Sequence, residues 1–165
     1  MSNAHTDRTW QGPSAADRLG ILRNAKSIAI IGASDKPSRA SYFVATYLAS
    51  TSYRVYYVNP VVKEILGQRT YASLAEVPEP VDIVDVFRKH DDLPGVLQES
   101  IAAGAKNLWL QLGSWHEAVA RKAEAAGLGV VMDRCVKIEH ARFHGGLHLA
   151  GFNTGVISAK RQVLA

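Results

Sequence analysis

The stretch Ser27-Ile28-Ala29-Ile30-Ile31-Gly32-Ala33-Ser34-Asp35-Lys36-Pro37-Ser38-Arg39 decides the fold. A short apolar run empties into a glycine turn, and a polar, basic segment comes next. The apolar spacing then becomes helical through Phe43, Val44, Tyr47 and Leu48. A strand that is apolar throughout is one buried on both faces, as in a parallel sheet. Gly32 permits a tight turn with no Cβ in the way. The N–H groups that open the next helix then point at whatever anion lies above the strand end. Ser34, Lys36, Ser38 and Arg39 add hydroxyl and cationic donors there. This is the opening of a nucleotide-binding βαβ unit.

The glycine fingerprint G-x-G-x-x-G is incomplete. Only its first glycine has a counterpart, and Ser34 and Pro37 stand where other members are expected. The next strand, over 54–58, ends in Asn59-Pro60. A NAD site places Asp or Glu there to grip the ribose hydroxyl. Neutral Asn59, with Lys63 shortly after, suits a ribose that carries a phosphate, as NADP and coenzyme A (CoA) both do.

The β-then-α rhythm continues along the chain. Strands are expected over 27–31, 54–58, 81–87, 107–112 and 129–132, with 64–68 a loop and 73–76 a helical turn. Helices are expected over 15–25, 38–49, 92–104, 114–127 and 138–143. Asp92 reads as an N-cap with Pro94 in the first turn, and Ser114-Trp115-His116-Glu117 as a capping box. The pattern predicts an α/β, Rossmann-like fold: a doubly wound, parallel, five-stranded sheet with helices on both faces. Residues 1–13 are polar and expected to be flexible. Residues 14–165 are expected to form one domain, including a glycine-rich C-terminal tail expected to cover an end of the sheet or reach a second subunit.

The chain has 165 residues, 47% hydrophobic and 21% charged, which fits one globular domain. Its net charge is +4, but Lys and Arg are scattered, so no stripe for nucleic acid is present. The single cysteine, Cys135, excludes an internal disulfide and a multi-cysteine zinc site. No signal segment or membrane-length apolar run is visible, so a cytoplasmic location with no membrane partner is expected. His140, His144 and His148 fall at metal-ligand spacing, but Gly145-Gly146 interrupts the helix they would need. Surface or interface histidines are the reading, and no metal is assigned. Asp82 and Asp85 are three apart on a strand and face opposite sides, so they form no carboxylate pair. Trp109 and Trp115 read as packing residues. No serine sits in a nucleophile elbow, and no catalytic residue is assigned.

In such sheets the ligand lies outside the carboxyl ends of the strands, where strand order reverses. The residues at those ends are Gly32-Ala33-Ser34, Asn59-Pro60, Phe87-Arg88, Gln111-Leu112-Gly113 and Asp133-Arg134-Cys135. Phe87 and Arg88 suit an adenine, by stacking and by charge. Leu112 and Gly113 offer a narrow apolar floor for a thin chain.

Five segments together resemble the small stand-alone CoA-binding domain family: Gly32 to Pro37, Val58-Asn59-Pro60, Val84-Asp85-Val86-Phe87-Arg88, Leu108 to Gly113, and Val131-Met132-Asp133-Arg134-Cys135. The same domain resembles the CoA-binding domains of succinyl-CoA synthetase α subunits and NDP-forming acyl-CoA synthetases. The likeness spans roughly 15–143. It implies CoA or acyl-CoA as ligand, with phosphates near residues 32–39 and adenosine near Asn59 and Phe87-Arg88. It implies no established reaction, because the ATP-grasp and ligase parts of the large enzymes have no room here. The expectation is a CoA-binding carrier, sensor or regulatory protein; whether it catalyses anything, and whether it forms a homodimer or meets another protein, stay open. Alternatives are a small NADP-dependent oxidoreductase and an interaction module that has lost its ligand.

Overall fold

The computed structural model describes residues 8–144. The chain runs α1 (Ala15–Asn24), β1 (Ser27–Ile31), α2 (Ala40–Ala49), β2 (Arg54–Val58), β3 (Glu64–Ile65), β4 (Gln68–Tyr71), β5 (Ile83–Val86), α3 (Leu93–Ala102), β6 (Asn107–Leu110), α4 (Glu117–Ala125), β7 (Gly129–Val131) and α5 (Val136–His144). One sheet orders them β3-β4-β2-β1-β5-β6-β7. Every pairing is parallel except the β3–β4 hairpin. Leaving β3 aside, the parallel strands take the order 3-2-1-4-5-6, that of a dinucleotide-binding sheet.

Alternation along each strand divides the core into two layers. Ala29 and Ile31 of β1, Val84 and Val86 of β5, and Leu108 and Leu110 of β6 face α3 and α4. Ile28, Ile30, Ile83 and Trp109 face α1, α2 and α5. All five residues of β1 are buried, as a strand covered on both faces must be.

The five expected strands become seven, because the loop expected over 64–68 is a hairpin. Leu66 and Gly67 both take positive φ, at 49° and 75°, the conformation that two-residue hairpin turns require. β4 then continues the sheet beside β2, with Tyr57 opposite Thr70 and Val58 opposite Tyr71. The expected capping box is also replaced. His116, not Ser114, caps α4, its Nδ1 accepting from the Val119 N–H at 3.3 Å. Asp92 makes no side-chain cap; a 3-10 turn over His90–Asp92 leads into α3 instead.

Within the segment whose composition alone suggests fraying, residues 8–10 are docked. Trp10 is buried and meets Trp115 edge to face, ring centroids 5.6 Å apart. Glu117 accepts from Thr9 N–H (3.0 Å), Trp10 N–H (3.0 Å) and Trp115 Nε1 (3.1 Å). The Arg8 guanidinium lies 3.9 Å from the Trp115 ring centre. One well-placed tryptophan and one acceptor carboxylate outweigh the polar character of the segment.

Candidate functional site

Strand order reverses between β1 and β5, so the crevice opens above Gly32 and Phe87. Gly32 has φ +81°, and a Cβ there would press into the Phe87 carbonyl oxygen. Phe87 N–H donates to Ile31 carbonyl at 2.9 Å, sealing the two strand ends together. Ser34 Oγ then accepts from Lys36 N–H (3.0 Å), and Lys36 carbonyl from Arg39 N–H (3.0 Å). This turn delivers the chain into α2.

The N-terminus of α2 is bare. Arg39 stands at the cap in extended conformation, no side chain caps the helix, and its first turn holds no acidic residue. The opening N–H groups of a helix have no partner within it and carry the positive end of the helix dipole. Lys36, Arg39 and Lys63 are exposed and make no ion pair among the described residues. Arg88 meets Asp92 at 3.4 Å, with both side chains substantially exposed. Such a pair contributes under about 1 kcal/mol, so Lys36, Arg39, Lys63 and Arg88 stand as exposed cations on the rim, with exposed Asp35 in the same loop as Lys36.

Asn59 has a use its sequence position does not announce. Its Nδ2 donates to Ala33 carbonyl at 2.8 Å, and its Oδ1 accepts from Val61 N–H (2.7 Å) and Val62 N–H (2.9 Å). The amide ties the loop after β2 to the loop after β1, and Pro60 and Val61 stand exposed beside it. A carboxylate in that place could not make the bond to a carbonyl oxygen.

Further along the rim, Gln111 points inward rather than into the crevice. It is buried, and its Nε2 donates to Asp85 Oδ1. Asp85 is wholly buried, and its Oδ2 has no hydrogen-bond partner among the described residues. Burial pushes its pKa up to about 8, the bond from Gln111 opposing this only partly. Leu112 is 68% exposed, an apolar side chain left in solvent at the ligand end of the sheet. Gly113, at φ +87°, donates its N–H to Asp133 Oδ1 at 2.7 Å, and Asp133 Oδ2 accepts from Arg8 at 3.0 Å. Cys135 is half-buried at the start of α5, its carbonyl accepting from Glu139 N–H at 3.0 Å.

The structure thus gathers residues 32–39, 59–63 and 87–88 around the switch point, with 111–113 and 135 on the same rim over β6 and β7. Phe87 is half-buried and packs against the α1/α2/α5 layer, so part of it belongs to the core. Sequence reasoning missed Asp133 and Arg8 as supports of the Gly113 turn, and the burial of Asp85. A lone carboxylate inside Ile83-Val84-Asp85-Val86 was the available signal for the last. His140 shares a 2.7 Å hydrogen bond with Tyr47; the His144 side chain and His148 lie outside the described residues. A groove of about 410 Å³ lined by Gly20, Asn24, Asp82 and Lys106 lies at the opposite, amino ends of the strands. Its Asp82 is already engaged by Lys26 and Ser27 N–H and by Lys106.

A parallel sheet in this order, with a bare helix N-terminus and exposed cations over its switch point, defines a Rossmann-like domain. The chain belongs to the CoA-binding domain family, whose model matches residues 26–141. It is 39% identical over 131 residues to the uncharacterized protein YneT of Bacillus subtilis, covering 79% of this chain and 97% of that one. It is also 32% identical over 88 residues to an ADP-forming acetate–CoA ligase of Methanocaldococcus jannaschii, covering 53% of this chain but only 12% of the ligase. Among solved structures, a hypothetical protein from Pyrococcus horikoshii superposes with TM-score 0.78 at 37% identity, over 81% of this chain and 94% of that one.

Proposed function

We propose that this protein binds coenzyme A or a short acyl-CoA across the switch point, as a cytoplasmic carrier, sensor or regulatory protein with no ligase activity of its own. The pyrophosphate lies over the loop 32–39 and the N-terminus of α2, held by backbone N–H groups with Lys36 and Arg39. Adenosine lies between Asn59-Pro60 and Phe87-Arg88, with Lys63 the cation nearest to hand for the 3′-phosphate. The pantetheine arm runs over Leu112 and Gly113 toward Cys135. The observation that carries this reading is the bare α2 N-terminus, ringed by exposed cations, in a chain whose family is the CoA-binding domain.

Calorimetric titration tests it. CoA should bind more tightly than dephospho-CoA, and NAD poorly. Arg39→Ala should weaken CoA by about 1–3 kcal/mol, as loss of a charged hydrogen bond does, and by less at high salt. Equal affinity for CoA and dephospho-CoA would remove the cation from the 3′-phosphate. Preference for NADP over CoA would move the reading to an oxidoreductase.

A further inference from the structure

The carboxyl group of Asp85 is the one polar side chain of β5, set between Ile30 of β1 and Trp109 of β6 in the sheet register. Around it on the same face lie Ile28, Ile83, Val131 and Val136, all buried. One carboxyl oxygen accepts from Gln111, and the other has no hydrogen-bond partner among the described residues. β1 and β6 bring no titratable side chain to it. On the elements packed over this face, Glu139 is taken by Arg18 and Arg134, Tyr47 by His140 and Tyr53 by the Leu22 carbonyl, and Tyr57 of β2 and Cys135 lie in the same layer. On the rim Arg88 is exposed and pairs with Asp92. A charge in such surroundings is costly without a counter-ion, so the group keeps its proton.

This proton sits at the root of the ligand rim. Two residues after Asp85 come Phe87 and Arg88; directly after Gln111 come Leu112 and Gly113. The Asp85–Gln111 bond therefore joins the bases of the two loops that flank the crevice on the β5 and β6 side. We propose that Asp85 is a proton-bearing positioning residue for the ligand site: neutral and bonded to Gln111, it locks the carboxyl ends of β5 and β6 in the binding geometry, so that ligand binding and its protonation are coupled. The proposal rests on the CoA reading. Ionised Asp85 would draw water into an apolar layer and part the two loops, and ligand phosphates overhead would disfavour its charge further. The bound state thus holds the proton more firmly than the free one. Burial has already brought its pKa close to neutral, so the coupling falls in an accessible range.

The test uses acetyl-CoA, which has no thiol to titrate, on the whole chain. Calorimetry in buffers of different ionisation heat, from about pH 7 to pH 9, should show wild type taking up a fraction of one proton on binding. Its affinity should fall by up to about tenfold per pH unit above the free-state midpoint, as linkage to one proton requires. Asp85→Asn, neutral and of the same shape, should bind at least as well at pH 8 and show neither effect. Independently of any ligand, wild type should carry an infrared band of a protonated carboxyl that titrates away with rising pH and is missing from Asp85→Asn. Absence of that band, or an Asp85→Asn variant that keeps the wild-type pH dependence, overturns the proposal. A titrating band in a protein that binds no acetyl-CoA at any pH instead overturns the CoA reading, and the coupling with it. Should Asp85→Asn not fold, the wild-type band and its buffer-dependent heats decide alone.

Discussion

Gly32 serves two purposes that a single substitution cannot separate. In the proposed complex its missing Cβ would let a phosphate approach the backbone; in the protein itself it lets the Phe87 carbonyl close over β1. A valine there would disturb the seal between β1 and β5 before it met any ligand, so Arg39, exposed and outside the sheet, is the cleaner probe. Cys135 gives a second residue-scale prediction. If pantetheine runs along Gly113, the thiolate of Cys135 can attack the disulfide of oxidised CoA, forming a protein–CoA mixed disulfide and releasing one CoA thiolate. Intact-mass spectrometry should then show one added CoA, removable by reductant and missing from Cys135→Ser, whose affinity for CoA stays near wild type. A protein that takes up a small disulfide but not CoA would show Cys135 to be accessible yet out of the ligand's reach. At this scale the sequence is a good guide to where residues stand and a poorer one to what their atoms do. Asn59 and Gln111 stand at the strand ends as expected, but their amides bond to the protein itself, to Ala33 and Asp85, and no spacing rule reports that.

Elements are legible where apolar period and turn chemistry agree, as in β1, α2 and β6. They are illegible where tertiary contact overrides local preference. The β3–β4 hairpin is the clear case: Gln68-Arg69-Thr70-Tyr71 is mostly polar because β4 carries only the small antiparallel strand on its outer side, and Leu66 is a poor residue for a turn. A leucine at φ 49° is strained, and Asn tolerates that conformation far better. Leu66→Asn should therefore stabilise the protein by about 0.5–1 kcal/mol, read as a higher urea midpoint at unchanged slope. A loss of stability would mean that the apolar surface Leu66 covers contributes more than the turn costs. The cap of α4 shows the same override. Ser114 has the better propensity, but its carbonyl is engaged by Asp133 N–H at 3.1 Å, and the helix begins three residues later.

At the scale of the described chain, the segment before α1 braces the domain. The family match begins at residue 26, whereas Arg8, Thr9 and Trp10 reach across to α4 and to the loop after β7. The magnitudes of its parts differ. Burying a tryptophan contributes a few kcal/mol, while a single ion pair at the surface, such as the partly buried Arg8–Asp133, contributes about 1 kcal/mol or less. Trp10→Ala should accordingly lower unfolding stability by about 2–4 kcal/mol and Arg8→Ala by a fraction of that, in urea melts of each variant. Comparable losses would mean that the brace is held by Asp133 and not by the ring. Nothing in residues 8–13 signals this brace before folding, since one tryptophan in a polar run has no period to read.

The arrangement of the three tryptophans has an optical consequence. Trp109 is enclosed in the sheet, with its indole N–H on the Arg134 carbonyl. Trp10 and Trp115 instead form a touching pair at the rim, one of them under a guanidinium. Undocking the segment around Trp10 would shift the emission of the rim pair to longer wavelength and leave Trp109 unchanged. The unlabelled protein thus carries a fluorescent reporter of its own N-terminal brace, with an internal reference in the same spectrum.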